Sequence, residues 1–334
     1  MQPKVLVAPA PLKEIEHVYG PVLRGAGVEM VFPTRNVQMT EDELLAQLPG
    51  AAASLAGSEP YTRAVIEKAA AAGLSVIARA GVGYDGVDVA AATDHGVAVT
   101  ITPGTNHDAV AEHTFMLLLA LAKNLITQHT AIQKGQWVRR ANQPLRGRTL
   151  GVVGFGRTGK AVALRGQAFG MPVIAFDPFA DKDFAAKHHI PLVELNDLLK
   201  QSDVVTLHMP MLPGTKHIIN AESLGLMKKT AYLINTARGG VVNEPALYDA
   251  LKNNRLAGAG LDVFDEEPPQ PDNPLLQLDN VVMTAHTAGV DVQSRDDMAR
   301  AAAEAIAKML AGEWPTGWVV NQEVETKWRA RAKK

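Results

Sequence analysis

The chain has 334 residues, a net charge of −2 and no cysteine; 47% of its residues are apolar and 20% are charged. That balance belongs to a globular protein with enough chain for about two domains. Without cysteine there is no disulfide framework, no thiolate nucleophile and no thiolate-bound metal, and the near-neutral charge offers no general attraction to nucleic acid or to an anionic membrane.

The opening MQPKVLVAPA reads as a first strand rather than a leader peptide. Short strands are predicted at 5–8, 28–32, 52–55, 76–78 and 97–100. Helical patterns lie between them at 12–25, 41–47, 61–72 and 86–94. Such alternation specifies a parallel sheet with crossover helices on both faces. Pro103-Gly104 breaks the pattern, and a long helix follows over 108–125, apolar on most sides. A helix of that kind is buried against several neighbours, in another domain or another subunit. Its most apolar stretch, 115–122, is too short to cross a bilayer. A polar loop over 133–148 carries Trp137, Arg139, Arg140 and Pro144.

The most informative stretch comes next. A strand at 149–153 leads into Gly154-x-Gly156-x-x-Gly159, which opens a helix, and a second strand at 173–176 ends on Asp177. Gly154 permits a tight turn, Gly156 lets the backbone approach a pyrophosphate, and Gly159 allows close packing of helix on strand. The helix N-terminus offers N–H groups to the phosphates. Phe155, Arg157 and Thr158 complete this turn. Asp177 can accept hydrogen bonds from both hydroxyls of an adenine ribose and would repel a 2′-phosphate, which favours NAD over NADP.

Further strands are predicted at 204–208, 232–235, 259–263 and 281–284, with helices starting near 157, 195, 221 and 244. A last helix spans 294–311, and the basic stretch 327–334 reads as a solvated helix end. Six strands from the Gly-rich unit onward make a full dinucleotide-binding domain over 103–289. Residues 1–102 and 290–334 would form the other domain, with a small substrate held between the two. Ligands of such sheets bind beyond the carboxyl ends of the strands. Arg238, Glu267 and His286 each follow a strand end in the second half. Hydride transfer at a carbon bearing oxygen needs one proton moved to or from that oxygen, a task for a histidine. A carboxylate orients the imidazole and raises its pKa, and an arginine polarises a carbonyl and pairs with a carboxylate.

Several segments together carry a resemblance: Thr102-Pro103-Gly104-Thr105-Asn106 with Ala109-Val110-Ala111-Glu112-His113-Thr114, the Gly154–Gly159 turn, Leu207-His208-Met209-Pro210, Asn235-Thr236-Ala237-Arg238-Gly239-Gly240, Leu261-Asp262-Val263-Phe264 with Glu267-Pro268, and Thr284-Ala285-His286-Thr287-Ala288-Gly289. In this order they resemble the D-isomer-specific 2-hydroxyacid dehydrogenases, a family that includes phosphoglycerate dehydrogenases, glyoxylate and hydroxypyruvate reductases and D-lactate dehydrogenases. The resemblance covers essentially the whole chain. It implies an α/β protein of two doubly wound domains, a Rossmann NAD-binding domain inserted into a flavodoxin-like substrate domain. It also implies a homodimer whose interface holds the long helix; the lack of cysteine fits a reducing cytoplasm. Arg238, Glu267 and His286 become the catalytic set. Thr236, Ala237, Asp262 and Gly289 fall beside the nicotinamide, and His208, Met209, Pro210 and Thr215 beside the adenine. Arg79 to Gly83 become the substrate loop, with the Val82 and Gly83 N–H groups on the carboxylate and Asn106 in support.

The resemblance leaves the substrate open. Arg79 and Arg139 match basic positions of phosphoglycerate dehydrogenases, the second contributed across a dimer. Where those enzymes carry Arg-Ser-x-Thr, this chain has Ala56-Gly57-Ser58-Glu59, and Glu59 would repel a phosphate. Hydroxypyruvate, glyoxylate and 3-phosphoglycerate all stay in view. NAD-sensing corepressors resemble the family too and supply a non-enzymatic alternative. Glu267 argues against a formate dehydrogenase, which carries glutamine there.

Overall fold

A computed structural model describes residues 2–35 and 37–332. The chain divides into two compact units, one formed by residues up to Asn106 together with those from Val292 on, the other by His107–Asp291.

The first unit alternates strand and helix: β1 (Lys4–Val7), α1 (Glu16–Gly25), β2 (Glu29–Val31), α2 (Glu41–Gln47), β3 (Ala53–Ala56), α3 (Arg63–Ala71), β4 (Val76–Arg79), α4 (Val89–Asp94) and β5 (Ala98–Thr100). The strands form one parallel sheet in the order β2-β1-β3-β4-β5. This is the flavodoxin-like order, and it reverses direction between β1 and β3. Side chains alternate across the sheet, as the twofold period of a strand requires. Val5, Val7, Val76 and Ala78 pack with Tyr19 and Leu23 of α1 on one face. Leu6, Ile77 and Val99 pack with Leu44, Val65, Ile66 and Ala92 on the other.

The second unit contains α5 (His107–Ala122), α6 (Leu125–Gln133), β6 (Leu150–Val153), α7 (Arg157–Ala168), β7 (Val173–Phe176), α8 (Lys182–Lys187), α9 (Leu195–Gln201), β8 (Val204–Leu207), α10 (Ala221–Leu226), β9 (Tyr232–Asn235), α11 (Glu244–Lys252), β10 (Gly258–Leu261) and β11 (Val281–Met283). Its sheet is parallel in the order β11-β10-β9-β8-β6-β7. Beyond β7, Leu192 makes a single parallel bridge to Ala175. With that bridge counted as a vestigial strand, the order becomes the doubly wound one that reverses between β6 and β8. The bridge rests on two bonds, from the Ala175 N–H to the Pro191 carbonyl and from the Val193 N–H to the Ala175 carbonyl, each 2.9 Å. A one-residue strand flanked by proline leaves no alternation to read.

The chain then returns to the first unit as α12 (Val292–Leu310) and α13 (Glu325–Ala332). Ala299, Ala302, Ala303, Ile306 and Met309 of α12 lie on the face that α1 covers. The predicted solvated tail is corrected here as far as the described residues reach, since Lys333 and Lys334 lie outside them. Trp328 of α13 is buried. Arg331 donates to the carbonyls of His95, Ala70 and Leu74. These oxygens lie at or beyond the ends of α3 and α4, where carbonyls lack intrahelical partners. The long helix expected over 108–125 also differs. It ends at Ala122, because Asn124 takes a left-handed conformation with φ 51°, and a separate helix α6 follows up to the start of the loop expected over 133–148. No single helix among the described residues is long and apolar enough to cross a membrane.

Candidate active site

The turn after β6 lies at the point where the second sheet reverses. Gly154 has φ +91°, and a Cβ there would stand 2.7 Å from the His208 carbonyl group that follows β8. A Cβ on Gly159 would stand 2.0 Å from the Gly154 carbonyl oxygen, so α7 reaches its strand only with glycine in place. Gly156 differs, since a Cβ added there would meet no atom within 4 Å. Gly156 also caps α7 with no side chain bonded to the helix terminus. Open space beside an uncapped helix N-terminus fits a pyrophosphate. Arg157 and Thr158 begin the helix. Asp177 ends β7 and accepts hydrogen bonds from the Phe155 N–H at 2.7 Å and the Phe179 N–H at 2.8 Å. It therefore holds the Gly-rich turn as well as standing where a ribose would be read.

On the other side of the reversal, His208 Nε2 pairs with Thr206 Oγ1 at 2.8 Å. Burial pulls the His208 pKa down to about 3, so the ring is neutral at physiological pH. Met209 is buried. Thr215 clasps the following turn, donating to the Pro210 carbonyl and accepting from the Leu212 N–H, both at 2.7 Å. This is the segment expected to border the adenine.

The three predicted catalytic side chains come from loops after β9, β10 and β11 of the same sheet, and the structure brings them together. His286 Nδ1–H donates to Glu267 Oε2 at 2.6 Å. The other Glu267 oxygen accepts the Phe264 N–H at 3.0 Å. The bond to Glu267 raises the His286 pKa above its ordinary value against the opposing effect of burial; the Glu267 and Asp262 charges add to the rise and the Arg238 charge subtracts from it. Burial pushes the Glu267 carboxyl upward, but the bonds from His286 and Phe264, with the His286 and Arg238 charges, outweigh it and hold its pKa below the usual value. Both shifts favour an imidazolium–carboxylate pair with Arg238 within electrostatic reach. His286 is itself left-handed, φ 52°, which aims its ring out of the strand direction.

The support of this set was not legible in advance. Asn235, buried at the end of β9, accepts the Ala237 N–H at 3.0 Å and donates to the Arg238 carbonyl at 2.8 Å, shaping the turn that presents the arginine. Thr236 pairs with Thr114 of α5 at 3.0 Å. Asp262, 1% exposed, accepts from Thr284 Oγ1 at 2.6 Å and from the Thr287 and Ala288 N–H groups at 2.9 Å each. Its carbonyl accepts the His286 N–H at 2.8 Å. Asp262 was expected beside the nicotinamide, yet both its oxygens are bonded to the loop that carries His286. His113 of α5 pairs with Thr284 at 2.8 Å and lies 3.5 Å from Asp262. Gly289 stands in the turn closed by the Val290 N–H on the Thr287 carbonyl.

In the first unit, the expected substrate loop follows β4. Arg79 Nε donates to the Gly83 carbonyl at 2.8 Å, and the Thr102 N–H donates to the Gly81 carbonyl at 3.0 Å. Val82 is exposed at the tip. The loop is braced by Arg79 and Thr102, and Asn106, expected to support it, takes no part in these bonds. Arg139 lies in the second unit on an exposed loop, among Gln128, Ile132, Trp137, Val138 and Arg140, and not with the catalytic set.

A doubly wound parallel sheet with a Gly-rich turn and an acid at its reversal, and with an acid-paired histidine within electrostatic reach of an arginine, is the architecture of a dinucleotide-binding domain. The chain belongs to the D-isomer-specific 2-hydroxyacid dehydrogenase family, whose NAD-binding domain matches residues 115–288. It is 44% identical over 279 residues to a D-3-phosphoglycerate dehydrogenase of Methanocaldococcus jannaschii, covering 82% of this chain and 53% of that protein. It is 42% identical over 273 residues to a glyoxylate reductase of Korarchaeum cryptofilum, covering 80% of this chain and 81% of that protein. The structure resembles D-lactate dehydrogenase of Aquifex aeolicus solved with NAD and lactic acid, with a TM-score of 0.84 at 29% identity, covering 95% and 98% of the two chains. The chain thus spans about half the length of the phosphoglycerate dehydrogenase and most of the reductase.

Proposed function

We propose that this protein is an NAD-dependent D-2-hydroxyacid dehydrogenase acting on a small 2-oxo or 2-hydroxy acid. The observation that carries the reading is the His286–Glu267 bond at the carboxyl edge of the sheet whose first turn is Gly154–Gly159. When bound, the nicotinamide supplies or accepts the hydride at C2 of the acid. Because His286 Nδ1 is committed to Glu267, the proton passes between His286 Nε2 and the C2 oxygen. Glu267 keeps the ring oriented and stabilises its charged form. Arg238 contributes positive charge for a carbonyl or carboxylate. The Gly-rich turn and the α7 terminus would hold the pyrophosphate, and Asp177 the adenine ribose, in preference to a 2′-phosphate. To the loop from Arg79 to Gly83 we assign the substrate carboxylate, on the Val82 and Gly83 N–H groups.

We also infer a cytoplasmic homodimer. Helix α6 buries none of its residues, and Leu125, Ile126 and Ile132 on it are more than half exposed. Beside it a groove of about 720 Å³ is lined by Phe115, Met116, Leu119, Leu125 and Phe169. Contiguous exposed apolar surface of this kind marks an interface, and light scattering of the purified chain should return twice the monomer mass.

The test of the activity is NADH oxidation with glyoxylate, hydroxypyruvate, 3-phosphohydroxypyruvate, pyruvate and bulkier 2-oxo acids. Turnover of at least one is expected. Tight NADH binding with turnover of none would overturn the enzymatic reading in favour of an NAD sensor.

A further inference from the structure

The first unit places a carboxylate where its sheet reverses. Pro9 follows β1 and Gly57 follows β3, so these two residues flank the crevice that ligands of such sheets use. Glu59 lies there with 2% of its surface exposed. One of its oxygens accepts the Gly57 N–H at 2.6 Å. A Cβ added to Gly57 would stand 3.1 and 3.2 Å from the two Glu59 carboxylate oxygens and 2.8 Å from Pro9 Cγ. The carboxylate therefore occupies the space that a side chain at position 57 would need. It is held rigidly. The Glu59 carbonyl accepts the Tyr61 N–H at 3.1 Å, and the Gly86 backbone packs against the same carbonyl closely enough that a Cβ there would stand 3.0 Å away. Arg79, at the end of β4, lies within electrostatic reach of Glu59 and donates to Gly83 of the adjoining loop. Burial pushes the Glu59 carboxyl above its ordinary value, and the backbone N–H bonds, the Gly57 N–H among them, with the Arg79 charge, oppose that rise.

We propose that Glu59 determines substrate choice, its fixed carboxylate closing this crevice to phosphorylated acids and leaving it to small 2-oxo and 2-hydroxy acids with uncharged or hydrogen-bond-donating tails. This rests on the assignment of the Arg79–Gly83 loop to the substrate. A phosphoryl group there would meet a buried acid in space that is already filled, and a cation whose charge that acid shares, both of which weaken the binding of an anion. Glu59 acts through charge and occupied space, as a positioning residue with no part in proton transfer.

The experiment compares kcat/KM for hydroxypyruvate and 3-phosphohydroxypyruvate, which differ only in the phosphoryl group, in the wild type and in Glu59→Gln. Calorimetric titration of both proteins with glycerate and 3-phosphoglycerate runs alongside. The wild type should favour hydroxypyruvate by at least about tenfold, and Glu59→Gln should raise the relative use of the phosphorylated acid by at least about tenfold. A loss of structure alone would lower both activities without moving their ratio. A wild-type preference for 3-phosphohydroxypyruvate, or an unchanged ratio in Glu59→Gln, overturns the proposal. Should neither acid be reduced, the dehydrogenase reading fails for these substrates, and the titrations still decide the role of Glu59. Gain of 3-phosphoglycerate binding in the variant supports it and no gain overturns it. If Glu59→Gln does not fold, Glu59→Ala and the wild-type ratio keep both outcomes within reach.

Discussion

Asp262→Ala tests the scaffold of the site through a residue that need not touch either reactant. The Asp262 carboxylate is buried and satisfies three donors, the Thr284 hydroxyl and the Thr287 and Ala288 N–H groups. In the alanine variant the Thr284 hydroxyl keeps His113 as a partner, but the two N–H groups lose theirs. A buried donor left unsatisfied costs about 1–3 kcal/mol. The Ala288 N–H is fully enclosed, whereas the Thr287 N–H is closer to solvent, so the expected loss is about 2–4 kcal/mol. The loop these bonds hold is the one that carries His286, so kcat should also fall by about tenfold or more as the imidazole loses its placement. Urea denaturation read by circular dichroism measures the first effect, and steady-state NADH oxidation the second. Asp262→Asn retains one acceptor oxygen but turns an amide donor toward a backbone N–H, and should fall between alanine and wild type. A denaturation midpoint and kcat both unchanged in Asp262→Ala would refute the reasoning, because the carboxylate would then be replaceable by water.

Other expectations follow from the same geometry. His286→Ala should reduce turnover by about 10²–10⁴-fold while NADH affinity, read by fluorescence quenching, stays near that of the wild type; undiminished turnover would remove His286 from the mechanism. Because Glu267 raises the His286 pKa, the protonated ring that gives up its proton in reduction persists above the ordinary imidazole range. In Glu267→Gln that support is lost, so the high-pH fall in reductive kcat should move to lower pH, and an unmoved limb in the pH profile would assign the titration to another group. Asp177→Ala should raise the use of NADPH relative to NADH; an unchanged ratio of kcat/KM would refute the ribose-reading role. The second and third glycines of the turn should separate binding from folding. Gly156→Ala places a methyl in open space and should weaken NADH binding with little change in denaturation midpoint. Gly159→Ala drives a methyl into the Gly154 carbonyl and should lower stability by about 1–3 kcal/mol or more. Equal effects of the two on stability would contradict the pyrophosphate cradle.

What could be read from the chain and what could not divides by the range of the interaction. The Gly-rich turn, its helix and Asp177 lie within one strand–helix–strand unit, where each residue type answers a local backbone demand, so the unit was visible as a pattern. Arg238, Glu267 and His286 were legible because a parallel sheet delivers its strand ends to one edge, and position along three separate strands then implies proximity. Their supports obey no such rule. The His113–Thr284 pair joins residues 171 apart, and nothing in an apolar helix marks one histidine as the partner of a distant hydroxyl. The break at Asn124 depends on a single left-handed residue inside an apolar run, and the docking of α13 rests on Trp328 and Arg331 in a helix that has no apolar stripe. Glu59 is the sharpest case. The sequence already set Glu59 against a phosphate by its charge, but only the fold shows it buried, bonded to Gly57 and within reach of Arg79. The same charge therefore means something different in place. On the surface it would be screened by water and salt, whereas buried beside Gly57 it is placed to bear on which acids the first unit would admit, as the Glu59→Gln comparison tests.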